Sequence, residues 1–186
     1  GHASNVEESI HCDKCEAGKY TTSLNNIYCL DCEAGKYANL EGSAYCKNCN
    51  AGKYSIVSAS QNENNCLNCE IGKISEEGET SCTFCEIGKW AKNNIECIGC
   101  SKGKYSSSLG LNNDNMCILC PIGKYNNNIG SNNILNCIRC EDGKIGIVEG
   151  AISNTSCINC EAGKYKDSLT KCEICPNGWI VSELKN

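Results

Sequence analysis

Bulky apolar residues are sparse along this chain, and they fall one at a time. A ring or a large aliphatic side chain recurs at Tyr20, Tyr37, Tyr54, Ile74, Trp90, Tyr105, Tyr125, Ile145, Tyr165 and Ile180, with polar stretches between. In nine of these ten places it follows Gly-Lys, and Trp179 takes the lysine's place in the last. No window shows the 3.6-residue apolar period of an amphipathic helix, apart from the tail IVSELKN. The linkers, such as NNDN (112–115) and YNNNIGSNN (125–133), are rich in Asn, Ser and Gly and read as turns and loops. The pattern predicts short irregular β-hairpins, one per repeat, with little or no helix.

The repeat has a cysteine framework. All 20 cysteines fall into C-x-x-C pairs, which begin at Cys12, Cys29, Cys46, Cys66, Cys82, Cys97, Cys117, Cys137, Cys157 and Cys172. Three residues after each second cysteine stands a glycine: Gly18, Gly35, Gly52, Gly72, Gly88, Gly103, Gly123, Gly143, Gly163 and Gly178. A glycine at a fixed distance from a cross-linked cysteine implies a turn with positive φ, or a close approach that a Cβ would block. The unit is therefore C-x-x-C-x-x-G-K followed by the bulky residue. Where that residue is aromatic, at Tyr20, Tyr37, Tyr54, Trp90, Tyr105, Tyr125 and Tyr165, it is expected to pack on the cystines, because it is the main bulky group of its unit. The lysine beside it is expected to point to solvent. The organisation expected is a lead-in over 1–11, tandem repeats over 12–175 and the end of a last unit over 176–186.

Composition says why the cysteines matter. Leu, Ile, Val and Phe together number 34 in 186 residues. So low a content cannot offset the entropy of ordering the backbone, and covalent or metal cross-links must hold the fold. The net charge is −5, and Arg139 is the one arginine, so no basic face for nucleic acid is expected. No apolar run is long enough to span a bilayer.

Three chemistries use this spacing. Paired C-x-x-C motifs form four-cysteine zinc sites, but zinc groups pairs two by two, and the repeat steps of this chain do not alternate. A redox C-x-x-C sits in a βαβ context and has a depressed thiol pKa. Here Glu16, Glu33, Glu70, Glu86, Glu141 and Glu161 follow the pairs and would raise it. Disulfide staples fit best, and they place the chain in an oxidising compartment, extracellular or at a cell surface. Two pairing rules stay open. The serial rule joins the second cysteine of each pair to the first of the next: Cys15–Cys29, Cys32–Cys46, Cys49–Cys66, Cys69–Cys82, Cys85–Cys97, Cys100–Cys117, Cys120–Cys137, Cys140–Cys157 and Cys160–Cys172. It leaves Cys12 and Cys175 unpaired, or linked to other chains, or marks the chain as part of a longer array. The interleaved rule, Cys12–Cys29 with Cys15–Cys32 and so on, leaves none over. The uniform unit favours the serial rule, and with it an elongated rod in which each unit touches mainly its neighbours.

The pattern C-x-x-C-x-x-G-K-Y resembles the cysteine-rich repeats of ephrin-receptor-like domains. It is also similar to the first half of a tumour necrosis factor receptor cysteine-rich module and to the periodic units of ciliate immobilisation antigens. CNAGKYSIVSASQNENNC (49–66) and CPIGKYNNNIGSNNILNC (120–137) carry the resemblance most fully. It implies a secreted cystine-rich repeat whose loop, from the cysteine before the glycine to the next cysteine, is closed by a disulfide.

Other candidate sites are few. His2 and His11 have no convincing ligand set nearby, and no nucleophile motif or phosphate loop stands out, so neither a cofactor nor catalysis is expected. Asn112–Asn115 offers oxygen ligands for Ca²⁺ but lacks the 12-residue loop pattern, and it reads as a solvated loop. Asn154-Thr155-Ser156 is an N-glycosylation sequon. The Trp179-Ile180-Val181 end is either a capping unit or an exposed apolar patch. The function expected is a non-enzymatic spacer or structural segment of a cell-surface or filament protein, contacting copies of itself or other surface proteins. A ligand-binding receptor ectodomain or surface antigen is the alternative.

Overall fold

The structure, a computed structural model, describes residues 2–3, 12–23 and 27–180, with backbone only at 2–3. It is built almost entirely of two-stranded antiparallel hairpins, with no α-helix among the described residues. Nor is any helix there long and apolar enough to cross a membrane. The chain divides into two compact units, 1–85 with 91–97 and 86–90 with 98–186.

One local rule makes every hairpin from Lys19 onward. The two residues after the glycine form one short strand, and the two residues enclosed by the next cysteine pair form the other. Thus Lys19–Tyr20 pairs with Leu30–Asp31, with Tyr20 opposite Leu30. In the first unit Lys36–Tyr37 pairs likewise with Lys47–Asn48, Lys53–Tyr54 with Leu67–Asn68 and Lys73–Ile74 with Thr83–Phe84. His2–Ala3 also pairs with Asp13–Lys14. In the second unit Lys104–Tyr105 pairs with Ile118–Leu119, Lys124–Tyr125 with Ile138–Arg139, Lys144–Gly146 with Cys157–Asn159 and Lys164–Lys166 with Cys172–Ile174. A longer pair, Lys89–Lys92 with Glu96–Gly99, falls between these two sets in sequence. The x-x of each C-x-x-C is therefore strand, not spacer. An isolated two-residue hairpin is not stable in water, so each needs a clamp.

The clamp is covalent. Nine disulfides join Cys15–Cys29, Cys32–Cys46, Cys49–Cys66, Cys69–Cys82, Cys85–Cys97, Cys100–Cys117, Cys120–Cys137, Cys140–Cys157 and Cys160–Cys172. Each closes the loop between the two strands of one hairpin. In four loops, 49–66, 100–117, 120–137 and 140–157, the cysteines are 17 apart, and these carry a 3₁₀ turn before the closing cysteine. In three of them an asparagine, Asn62, Asn113 or Asn133, caps that turn by accepting from the amide two residues on. The longer loops thus spend their extra residues on a capped turn.

In each unit the buried core is made chiefly of cysteine. Cys15, Cys32, Cys49, Cys100 and Cys120 have no exposed surface. In most repeats the residue after the bulky position is also buried, and it is small or polar: Thr21, Ala38, Ser55, Ser75, Ala91, Ser106 and Asn126. Asn126 satisfies its amide by donating to the Lys104 carbonyl at 2.9 Å and to Ser131 Oγ at 2.8 Å, as a buried polar group must.

Candidate functional site

The recurring feature that positions everything else is the glycine turn. The Lys19 amide donates to the Glu16 carbonyl at 3.1 Å across Ala17-Gly18, and Gly18 has φ +88. A 4→1 bond over a positive φ at the third residue is a type II turn. All ten repeat glycines have φ between +75 and +88. At Gly18 and Gly103 a second demand is added, because a Cβ would meet a backbone carbonyl of another loop at 2.2 and 2.1 Å.

That other loop is not the adjacent one. Gly18 faces Ala59, two closed loops further on, and in the same unit Gly35 faces Gly78. In the second unit Gly88 faces Gly130, Gly103 faces Gly150 and Gly123 faces Leu169. Close approach to the next-but-one loop is thus added to the contacts between neighbouring loops. The physical reason is that a two-residue hairpin is too thin to separate the loops on either side of it once a glycine removes the side chain.

Adjacent loops are joined by backbone hydrogen bonds. In the first unit Gly35 N donates to Ser55 O at 2.8 Å, Ala38 N to Ser60 O at 3.0 Å and Ala59 N to Cys32 O at 2.7 Å. The second unit repeats the set: Gly103 N to Asn126 O at 2.8 Å, Ser106 N to Ser131 O at 3.0 Å and Gly130 N to Cys100 O at 2.8 Å. Gly78, Gly130 and Gly150 each donate to the carbonyl of the cysteine that opens the preceding loop, at 2.9, 2.8 and 2.8 Å. These donors form a second turn position that the sequence reading missed. It has positive φ at Gly42, Ala59, Gly78, Asn94, Gly110, Gly130 and Gly150. The signal was present as a glycine seven residues after the first in four of these loops. A one-residue slip at Gly78 and the substitutes Ala59 and Asn94 obscured it. Asn94 adds its side chain, which donates to the carbonyls of Cys69, Glu70 and Lys73.

The aromatic residues sit as follows. Tyr20, Tyr37, Tyr54, Trp90, Tyr105 and Tyr125 are half-buried, and Tyr165 is exposed. Trp90 packs against the buried cluster of Cys100, Leu111 and Cys117, the cystine of the following loop. Its Nε1 is buried without a hydrogen-bond partner. Trp179 and Ile180 are exposed. Val181 lies outside the described residues, as do His11, the His2 side chain and the rest of the tail to Asn186.

The lysines do not simply project into solvent. Five of them turn back onto the glutamate that opens the same turn: Lys36 to Glu33, Lys73 to Glu70, Lys89 to Glu86, Lys144 to Glu141 and Lys164 to Glu161, at 2.5–3.1 Å. The Lys73, Lys89 and Lys164 contacts hold the Glu70, Glu86 and Glu161 carboxyls below their usual range. Where Asn50 or Ser101 replaces the glutamate, the lysine instead reaches the acid of the 3₁₀ turn. Lys53 bonds Glu63 at 3.0 Å, and Lys104 bonds Asp114 at 2.6 Å. In these seven loops the pairing is a brace within the loop.

With eighteen cysteines consumed as cystines, only two thiols remain, too few for a four-cysteine zinc site. Cys12 and Cys175 are the free thiols among the described residues, the first exposed and the second half-buried. Asn112 and Asn113 bond each other through their side chains, Nδ2 of Asn113 donating to Oδ1 of Asn112 at 2.7 Å, and Asp114 is taken by Lys104. Asn112–Asn115 is thus a braced turn. Asn154 is exposed at the start of a 3₁₀ turn.

So many cystines point to an extracellular or cell-surface setting, where such bonds persist. No curated protein matches the chain at a significant level. Residues 110–157 match the family model described as tyrosine-protein kinase ephrin type A/B receptor-like, so that stretch of the cysteine-rich repeat is similar to the ephrin-receptor-like kind.

Proposed function

We propose that this chain is a non-catalytic extracellular spacer, a structural segment of a cell-surface or filament-forming protein. One observation carries the reading. Most of the residues that recur with the period are engaged in closing a loop or joining it to the next. The second cysteine, the glycine, the small buried residue and the second turn make the core and the inter-loop bonds. The lysine and glutamate brace the turn. What varies from loop to loop is the outward-facing remainder, such as exposed Leu40, Ile56, Leu109 and Ile129. A periodic scaffold with a variable exterior supplies distance and stiffness, because within each unit every closed loop is bonded to the next.

The test places the segment between a membrane anchor and a fluorescent reporter on a cell surface and measures reporter height by energy transfer to a membrane dye. Height is expected to fall stepwise as loops are deleted in pairs, and to collapse when the cysteines are replaced by serine. Equal heights for the intact, shortened and serine forms would overturn the reading.

A further inference from the structure

We infer that Asn154 is an N-glycosylation site, taking an oligosaccharide from a polyprenyl-diphosphate-linked donor. The inference rests on the extracellular reading above, since the transfer takes place in the secretory route.

Comparison of the four loops that carry a 3₁₀ turn sets Asn154 apart. In loops 49–66 and 100–117 the turn begins with an acid that is already engaged: Glu63 with Lys53, and Asp114 with Lys104 and with the Ser101 amide at 2.8 Å. In loop 140–157 the same position is Asn154, and the lysine that would reach it, Lys144, is bonded to Glu141 at 2.9 Å. The preceding residue differs too. Asn62, Asn113 and Asn133 cap their turns, whereas Ser153 makes no side-chain cap bond. Instead its hydroxyl lies 2.5 Å from that of Thr155. Neighbouring hydroxyls therefore engage each other, and the Asn154 amide points outward with no partner among the described residues. Ser156 supplies the hydroxyl two positions on that completes the sequon. A glycan at this place breaks no contact, whereas one on the acid positions of loops 49–66 or 100–117 would cut a cross-brace.

The chemistry balances without further reagents. Nδ2 of Asn154 forms a bond to C1 of the reducing-end sugar and gives up one proton. The bond from C1 to the diphosphate oxygen breaks, and the polyprenyl diphosphate leaves with the electron pair. Ile152 and Ile158, both exposed, flank the sequon, so the sugar also covers apolar surface.

The chain is expressed through the secretory route of a eukaryotic cell, and the secreted material is split for two measurements. Intact mass and peptide mapping are taken before and after an amidase that releases N-linked glycans. Alkylation under denaturing, non-reducing conditions counts free thiols. The expected result is a glycan-bearing species converted by the amidase to aspartate at 154. It is lost in Asn154→Gln and in Ser156→Ala and kept in Thr155→Ala, with the nine disulfides intact in every variant. Secreted protein with protected cysteines and an unmodified Asn154 would overturn the site and leave the extracellular reading standing. Protein retained in the cell with all its thiols open to alkylation would remove the extracellular reading, and the site with it.

Discussion

Gly103 approaches Gly150 so closely that a Cβ on Gly103 would lie 2.1 Å from the Gly150 carbonyl oxygen, in a loop two further along the chain. Gly143 occupies the same place in its own turn, with φ +75 against +79, yet has no such neighbour among the described residues. The pair separates the demand that every repeat glycine carries, a positive φ, from a close approach that only some of them make.

Gly143→Ala is expected to cost only the strain of placing an L side chain at positive φ, about 1 kcal/mol. Gly103→Ala adds a clash with backbone that cannot rotate away, and overpacking of this kind costs roughly 1–3 kcal/mol more. Heat or urea unfolding of the two oxidised variants checks this. Equal losses would mean that the next-but-one contact contributes nothing.

Ala59 is the inverse case. It holds φ +53 at the second turn while its amide bonds Cys32 O at 2.7 Å. Five corresponding positions in the other loops are Gly42, Gly78, Gly110, Gly130 and Gly150. Ala59→Gly keeps the bond and relieves the strain, less the greater entropy glycine loses on folding. A net gain of about 0.5 kcal/mol is expected, read as a rise in the unfolding midpoint.

These two positions show what the sequence made legible. The first glycine stands at a fixed offset from a cystine, and its turn and its close approach both exclude any other residue. Composition alone therefore displays it, as it displays the cysteines. The second turn needs only a positive φ and an amide aimed at a neighbouring carbonyl, which Ala59 and Asn94 also supply. The buried residue after the ring needs only small size or an internal partner, and Thr21, Ala38, Ser55 and Asn126 all qualify. Constraints met by the backbone leave little trace in residue identity. For the same reason the contact from Gly18 to Ala59 was invisible, since a carbonyl is common to every residue.

Removing one cystine tests the claim that sulfur replaces a hydrophobic core. The Cys100–Cys117 bridge closes a separation of 17 residues and packs beneath Trp90. Cys100→Ser with Cys117→Ser is expected to lose about 3 kcal/mol on the chain-entropy account of loop closure. It also removes apolar contact from the indole. In a Trp179→Phe background Trp90 is the one remaining tryptophan, so its emission reports the site directly. A red shift in the double variant is expected while circular dichroism of the other loops persists. Unchanged emission would show that Trp90 does not depend on that cystine.

The last prediction concerns acid. Burial alone would raise the Asp114 carboxyl, but hydrogen bonds from Lys104 Nζ and the Ser101 amide, with the Lys104 charge, outweigh it and hold the group below its ordinary value of 3.8. A carboxyl depressed on folding stabilises the folded state above its unfolded pKa. That contribution disappears as pH falls through the lower, folded value. Wild type should therefore show its Asp114-dependent stability in full at neutral pH and lose it below about pH 4. Asp114→Asn removes the charge and weakens the tie to Lys104, with an expected loss of about 1 kcal/mol at pH 7. The gap between the two proteins should close as the pH is lowered, because the protonated carboxyl of Asp114 and the amide that replaces it in the variant then present similar neutral groups to the lysine. Unfolding midpoints from pH 7 down to pH 2, taken with the disulfides intact, follow that gap. A gap that stays constant into acid would show that the Lys104 cross-brace does not draw its stability from the ionised carboxylate.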